Sequence, residues 1–179
     1  NNFTSKSQEA IQVAQMLANE NGQQAVDPIH LLASLINQDA GIIPSLLQKM
    51  KINVNRLISQ VDQILQSLPK NFGFNQSGMG QVLLSPALAK TMQNSANQAK
   101  QFGDDFISTE HLFLALLQNK QVAQFLTGQG IEVKPTLEAL KDVRGNQKVD
   151  SADPEAKFQA LEKYSINLTE YARLGKLDP

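Results

Sequence analysis

Residues 26–32 read Val-Asp-Pro-Ile-His-Leu-Leu, and residues 107–113 read Ile-Ser-Thr-Glu-His-Leu-Phe. Both stretches place a helix-capping residue after an apolar one and a His-Leu pair three residues further on, at a constant offset of 81 positions. Self-similarity at a fixed offset indicates that one structural unit occurs twice. We therefore expect the chain to contain two copies of the same unit.

The same spacing extends on both sides of these stretches. The corresponding positions are Gly22 with Gly103, residues 3–5 with residues 84–86 and, after a two-residue gap, residues 52–54 with residues 131–133. Thr4 and Ser85 are therefore equivalent, and both residue types favour the N-cap of a helix. Equivalent glycines suit helix C-termini because glycine adopts the left-handed conformation at little cost. The repeats are predicted to span residues 3–68 and 84–143.

Helical periodicity dominates both copies. Apolar residues spaced three and four apart form one face of a helix in the first copy: Val54, Leu57, Ile58, Val61, Ile64, Leu65 and Leu68. Pro69 ends that helix because proline lacks the amide hydrogen. No comparable stretch alternates with a period of two. We predict an all-α domain of eight helices, in which two four-helix repeats are related by a pseudo-twofold axis.

Composition excludes several classes of function. The 179 residues have a formal net charge of −1 with dispersed Lys and Arg, which argues against a nucleic-acid-binding face. There is no Cys, so a disulfide framework or thiolate metal site cannot form. No apolar run approaches the roughly 20 residues that span a bilayer, and no phosphate loop or nucleophile elbow occurs. We therefore expect a domain that is not an enzyme and that binds no cofactor, nucleic acid or membrane.

His30 and His111 are the only histidines and could be considered as metal ligands. Each is flanked by leucine, and neither belongs to a HExxH or Glu-x-x-His arrangement. Zinc needs three or four converging ligands. We predict that both histidines are structural and that the domain has no metal site.

The duplicated four-helix unit with its paired His-Leu signature resembles the Clp amino-terminal domain, over about residues 3–143. Residues 161–169, followed by 175–179, resemble the lead-in to the first ATPase module of ClpB-type disaggregases, although Asn167 stands where the family usually has Asp. The sequences of residues 27–32 and 68–70 are more similar to the ClpB branch than to relatives that feed a protease. The resemblance implies a domain at 1–143 and a lead-in at 155–179, and the polar composition of residues 144–154 predicts a flexible linker between them.

The resemblance also implies a function. The domain would be tethered to a hexameric, cytoplasmic motor that holds ATP and Mg²⁺ outside this chain and works with an Hsp70-type chaperone system. It would capture exposed apolar segments of unfolded or aggregated proteins, and the isolated chain would be monomeric. Two alternatives stay open: an adaptor-docking domain of a protease-linked unfoldase, and a freestanding hydrolase.

Six residues are predicted to bind substrate. The family's functional residues map onto Thr4, Asp104 and Glu110, and an apolar groove is expected over Ala89, Met92 and Ala96. Each polar residue also has a purely structural interpretation. Thr4 would cap a helix, Glu110 would stabilise a helix N-terminus by about 0.3–1 kcal/mol, and Asp104 with its neighbour Asp105 would be solvated turn residues.

Overall fold

Each predicted repeat folds into four helices. The computed structural model describes residues 2–70, 82–145 and 147–154. In the first repeat the helices are α1 (Ser5–Glu20), α2 (Pro28–Ile36), α3 (Ile42–Lys49) and α4 (Val54–Ser67). In the second they are α5 (Pro86–Phe102), α6 (Thr109–Leu116), α7 (Lys120–Gly128) and α8 (Val133–Arg144). The predicted all-α fold of eight helices is confirmed in this part of the chain.

The capping residues act where the sequence predicts them. Thr4 Oγ1 accepts a hydrogen bond from the Ser7 amide at 3.2 Å, and Ser85 Oγ accepts one from the Leu88 amide at 3.1 Å. Gly103 ends α5 with a φ of 71°, a left-handed conformation that residues with a Cβ rarely adopt. The two copies therefore begin their first helices in the same way.

Two short parallel pairings join the repeats and were not predicted. Strand β1 (Ala25–Val26) pairs with β2 (Leu83–Leu84), and Phe3 forms an isolated parallel bridge with Ile107. At the repeat offset of 81, these two pairings are equivalent to each other. Each repeat thus contributes the residues before its first helix to the other repeat. Strands of two residues produce no periodicity, so the sequence pattern could not reveal them.

One apolar core runs through both repeats. Every residue of α6 is buried, including Glu110 and His111, and α2 is buried except for the half-buried Ile29. These two helices contact each other, and α6 also contacts α1 and α3 of the first repeat. Neither repeat therefore has a separate core. No helix in the described ranges is both long enough and apolar enough to span a bilayer.

The segment that follows α8 lies against the domain. Arg144 is the last residue of α8, and Val149 is fully buried. The Asp105 amide donates to the Val149 carbonyl at 2.8 Å, and the Ser5 amide donates to the Ala152 carbonyl at 2.8 Å. The flexible linker at 144–154 stays a prediction, but its described residues make hydrogen bonds to partners distant in sequence, which a polar composition does not reveal.

One predicted segment, the lead-in at 155–179, lies outside the described residues.

We expect the chain to unfold in a single cooperative transition, because the repeats exchange strands and share one core. In calorimetry, the calorimetric and van't Hoff enthalpies should agree. Val26→Ala in the first repeat and Ile107→Ala in the second should lower the same transition. Two transitions, each shifted by only one of these variants, would show that the repeats unfold independently.

Candidate functional site

An open groove of about 710 Å³ lies where α5 meets the Phe3–Ile107 bridge. Its lining residues are Phe3, Pro86, Ala89, Lys90, Met92, Gln93, Ala96 and Ile107. The structure therefore brings the predicted Ala89, Met92 and Ala96 together on one surface. Among the described residues of the lining most are apolar, and Lys90 is the single charged one. This surface suits an uncharged, apolar ligand segment.

Comparison of the two repeats shows why the groove forms on α5. Ala89 and Ala96 of α5 correspond to Gln8 and Gln15 of α1 at the offset of 81. Both alanines are exposed, so their short side chains leave open space along the helix. In α1 the Gln8 side chain instead donates a hydrogen bond to the Phe3 carbonyl at 3.0 Å. The second repeat thus has a recess where the first carries long polar side chains.

The other three predicted residues do not line the groove. Thr4 is fully buried, Glu110 is 1% exposed, and the side chain of Asp104 in the α5–α6 loop is buried against the residues that bond to it. The Thr4 amide donates to the Ile107 carbonyl at 3.0 Å, next to the groove. Thr4 thus contacts the groove wall through its backbone, and in this conformation none of the three side chains offers an exposed contact surface.

Asp104 is the centre of a buried polar cluster. One carboxylate oxygen accepts hydrogen bonds from Arg144 Nη2 at 2.8 Å and from the Val149 amide at 3.0 Å. The other carboxylate oxygen lies 2.7 Å from His111 Nε2. All of these donors are distant from Asp104 in sequence except His111. Asp104 is therefore a tertiary contact residue, not a solvated turn residue.

Glu110 belongs to the same cluster. One of its carboxylate oxygens accepts a hydrogen bond from Ser108 Oγ, and the other lies 3.7 Å from Arg144 Nη1. The Arg144 guanidinium also lies 5.3 Å from the centre of the Phe102 ring, a cation–π distance. Glu110 is the second residue of α6, as predicted. Its burial beside Arg144 makes its role larger than stabilisation of a solvent-exposed helix end.

The charge states follow from these contacts. Burial by itself raises the pKa of Asp104, but the hydrogen bonds from Arg144 and Val149 and the Arg144 charge outweigh it and lower the pKa below its ordinary value. Burial lowers the pKa of His111, and Arg144 adds to this effect, against the opposing influence of Glu110 and Asp104. Near neutral pH, Asp104 is therefore charged and His111 is neutral.

Both histidines have the same structural task. The Ser108 amide donates to His111 Nδ1 at 2.9 Å, and the Asp27 amide donates to His30 Nδ1 at 2.9 Å. Because Nδ1 accepts, the proton of each neutral ring is on Nε2. His111 Nε2 then donates to Asp104, and His30 Nε2 donates to Gln23 Oε1 at 3.2 Å. Both histidines therefore make helix-capping contacts, which is the structural interpretation that the sequence favours.

The first repeat has uncharged residues at the positions equivalent to Asp104, Glu110 and Arg144. Asp104 corresponds to Gln23 at the offset of 81, and Glu110 corresponds to Ile29. The fourth helices align at an offset of 79, which places the buried Leu65 opposite Arg144. The paired change from two apolar residues to an ion pair was visible in the sequence. That signal could have identified Arg144, which sequence reasoning missed, but nothing marked Val149.

The buried polar cluster around Asp104 does not form a metal site. Among residues 2–70, 82–145 and 147–154, no group of three or more His, Asp or Glu side chains is arranged to hold a metal ion. The Asp104 carboxylate and both His111 nitrogens are already engaged by protein donors and acceptors.

Comparison with known proteins gives a consistent result. The family model described as the Clp repeat (R) N-terminal domain matches residues 2–129. The chaperone protein ClpB of Bacteroides thetaiotaomicron is 39% identical over 180 aligned residues, which cover 100% of this chain and 20% of that protein. ClpB of Bacillus anthracis is 36% identical over 100% of this chain and 21% of that protein. The chain thus spans about a fifth of these curated relatives.

Solved structures share the fold. The Hsp104 N-terminal domain of Candida albicans superposes with a TM-score of 0.76 at 19% identity, over 87% of this chain and 99% of that one. The N-terminal domain of the caseinolytic protease associated chaperone ClpD of Arabidopsis thaliana superposes with a TM-score of 0.57 at 19% identity, over 79% of this chain and 96% of that one.

Proposed function

The chain belongs to the Clp repeat N-terminal domain family, and on that premise we propose that it captures exposed apolar segments of unfolded or aggregated polypeptides. The observation that carries the proposal is the open apolar groove over Ala89, Met92 and Ala96. An extended segment with small or aliphatic side chains would bury apolar surface there. Such burial is favourable by roughly 25 cal/mol per Å².

Binding at a single groove of this kind is weak, which suits the proposed role. A groove open to solvent buries only part of its ligand and orders a flexible chain at an entropic cost. Several copies held on one ring raise the effective concentration of binding sites and compensate for a weak single site. Weak capture also allows the segment to be passed on.

The rest of the proposal concerns the whole protein, of which this chain covers about a fifth in its ClpB relatives. We propose a cytoplasmic hexamer whose ATPase modules, with ATP and Mg²⁺, pull captured segments into a central pore. Cooperation with an Hsp70-type chaperone system is part of the same proposal. Thr4, Asp104 and Glu110 would affect capture by holding the groove wall. They would not contact the captured segment.

We expect Ala89→Gln/Ala96→Gln to weaken binding of a short synthetic peptide rich in Leu and Val by at least about tenfold, equivalent to about 1.4 kcal/mol. These changes give α5 the residues that α1 carries at the equivalent positions, and they place polar side chains in the groove. Both alanines are exposed, so the fold should be retained. The measurement is fluorescence anisotropy of labelled peptide titrated with the complete chain.

Ala87→Gln is the matched control, because Ala87 is an exposed alanine of α5 that does not line the groove. It should leave peptide affinity unchanged. Moderate salt should also have little effect, because apolar burial is not screened by ions. Equal weakening by both variants would argue against a groove site. If a folded adaptor binds the groove and the unfolded peptide does not, adaptor docking replaces the proposed function.

A further inference from the structure

Residues 147–152, which follow α8, are held against the domain by contacts on two sides. Val149 is fully buried, its amide donates to Asp104 Oδ1, and its carbonyl accepts from the Asp105 amide at 2.8 Å and the Phe106 amide at 3.3 Å. Ala152 accepts from the Ser5 amide at 2.8 Å. We call residues 147–152 the clasp.

The elements that the clasp holds are the two sides of the groove wall. Asp105 and Phe106 come directly before Ile107, and Ser5 comes two residues after Phe3. Phe3 and Ile107 form the bridge that lines the groove. The clasp therefore joins the residues flanking both halves of this bridge.

The first repeat provides an internal comparison. Its equivalent bridge joins Leu84 to Val26, with the Ser85 amide donating to the Val26 carbonyl at 3.0 Å. Gln23, which replaces Asp104 there, bonds with its side-chain oxygen to His30. This Gln23 contact matches the contact of Asp104 with His111 Nε2. The clasp lies on the bridge that lines the apolar groove.

We propose that the clasp positions the groove, so that docking of the segment leading out of the domain and binding of a polypeptide favour each other. Asp104 is the positioning residue: it acts on binding by holding Val149 and does not touch the ligand. Release would remove the support of the bridge and free residues 147–152, which lengthens the connection to whatever follows by about 20 Å when extended. This inference rests on the proposed function of the groove.

Coupling between two sites is reciprocal, so a ligand that favours the clasped state must itself be bound more tightly by that state. A motor that pulls on the segment after Pro154 would open the clasp and weaken the groove at the same time. Pulling on this segment would therefore promote release of the captured polypeptide.

The first experiment needs no ligand. Val149→Asp, which puts a carboxylate beside Asp104, should release the clasp in the complete chain. We expect the Thr4 and Ile107 amides to exchange with deuterium at least about tenfold faster, because local opening governs exchange. The Ser85 amide in the equivalent bridge should keep its rate. Ser151→Asp is the matched control, since Ser151 is exposed and the change adds the same charge without removing the anchor.

The second experiment locks the clasp. Ser5 and Ala152 are both exposed, their backbones are hydrogen-bonded, and the chain has no native Cys, so Ser5→Cys/Ala152→Cys can be oxidised selectively. The Leu- and Val-rich peptide should bind the oxidised form at least as tightly as the reduced form. The same peptide should bind the Val149→Asp variant at least about fivefold more weakly than the unmodified chain. Peptide saturation should slow exchange of the Val149 and Asp105 amides in the unmodified chain.

The outcomes separate the two proposals. The clasp is contradicted if Val149→Asp leaves the amide exchange rates of Thr4 and Ile107 unchanged. It is also contradicted if the exchange rate of the Ser85 amide changes by the same factor as theirs. Both results hold whether or not a peptide binds. Equal peptide affinity in locked, reduced and released forms contradicts the coupling alone. Failure of the peptide to bind the unmodified chain, with Thr4 and Ile107 exchange raised as expected, contradicts the proposed function and leaves the clasp supported as the support of the bridge.

Discussion

Arg144→Leu should destabilise the chain by about 3–5 kcal/mol, because it leaves Asp104 and Glu110 as buried carboxylates without their cation. The leucine keeps apolar contact with Phe102, so the loss arises mainly from charge and hydrogen bonds. The measurement is urea denaturation followed by circular dichroism at pH 7. Natural domains are stable by only about 5–15 kcal/mol, so this single change is expected to bring the chain near its unfolding threshold.

The first repeat supplies the rescue. Asp104→Gln/Glu110→Ile/Arg144→Leu gives the second repeat the residues that stand at Gln23, Ile29 and Leu65. Replacing a buried ion pair completely by apolar residues is often neutral, whereas removing one partner is costly. We expect the triple variant to regain at least about 2 kcal/mol over Arg144→Leu. If Arg144→Leu costs less than about 1 kcal/mol, or if the triple variant is no more stable, the buried ion pair is not the stabilising feature.

Acidification from pH 7 to pH 5 should destabilise the chain strongly. Burial lowers the pKa of both His30 and His111 below the ordinary value of 6.5. Below about pH 6.5 the unfolded chain binds protons at both rings and the folded chain does not. The free energy of unfolding therefore decreases as the pH is lowered. Each ring contributes up to about 1.4 kcal/mol per pH unit. Urea titrations at half-unit pH steps measure the slope.

Asp104 titrates in a different pH window. The pKa of Asp104 is lowered from 3.8, so its stabilising contribution is present above that value and is lost only at lower pH. Charged groups face both rings: Asp27 lies beside His30, and Glu110, Asp104 and Arg144 surround His111. The pKa of each ring is lowered even with the influence of these charges included. The part of the slope between pH 5 and pH 6.5 that is lost on replacing a histidine therefore reports that histidine.

His30→Gln and His111→Gln separate the two contributions. Each variant loses a capping contact and is expected to be less stable at every pH. The slope of its free energy of unfolding against pH should decrease by the equivalent of about one bound proton. This change in slope is the informative quantity. A slope that both variants leave unchanged would mean that the rings are protonated in the folded chain, contrary to the direction of their pKa shifts.

The internal repeat, the helix caps and the apolar periodicity were sufficient to predict the fold from the sequence. These signals are local or periodic, and they occur twice at one offset. Thr4, Ser85 and Gly103 act at helix ends because their own side chain or backbone freedom suits those positions. The groove residues Ala89, Met92 and Ala96 share a helix face for the same reason, since their spacing alone brings them together.

Only the tertiary structure decided the roles of Asp104, Glu110 and residues 147–152. An aspartate in a turn and a polar segment after a helix are typical of solvated surface when they are considered alone. Their burial depends on Arg144, 40 positions from Asp104, and on Val149, 45 positions away. The strand exchange between repeats is equally non-local. A pattern within one helix or turn carries no information about such partners, because their free energy comes from desolvation and pairing that occur only when distant segments meet.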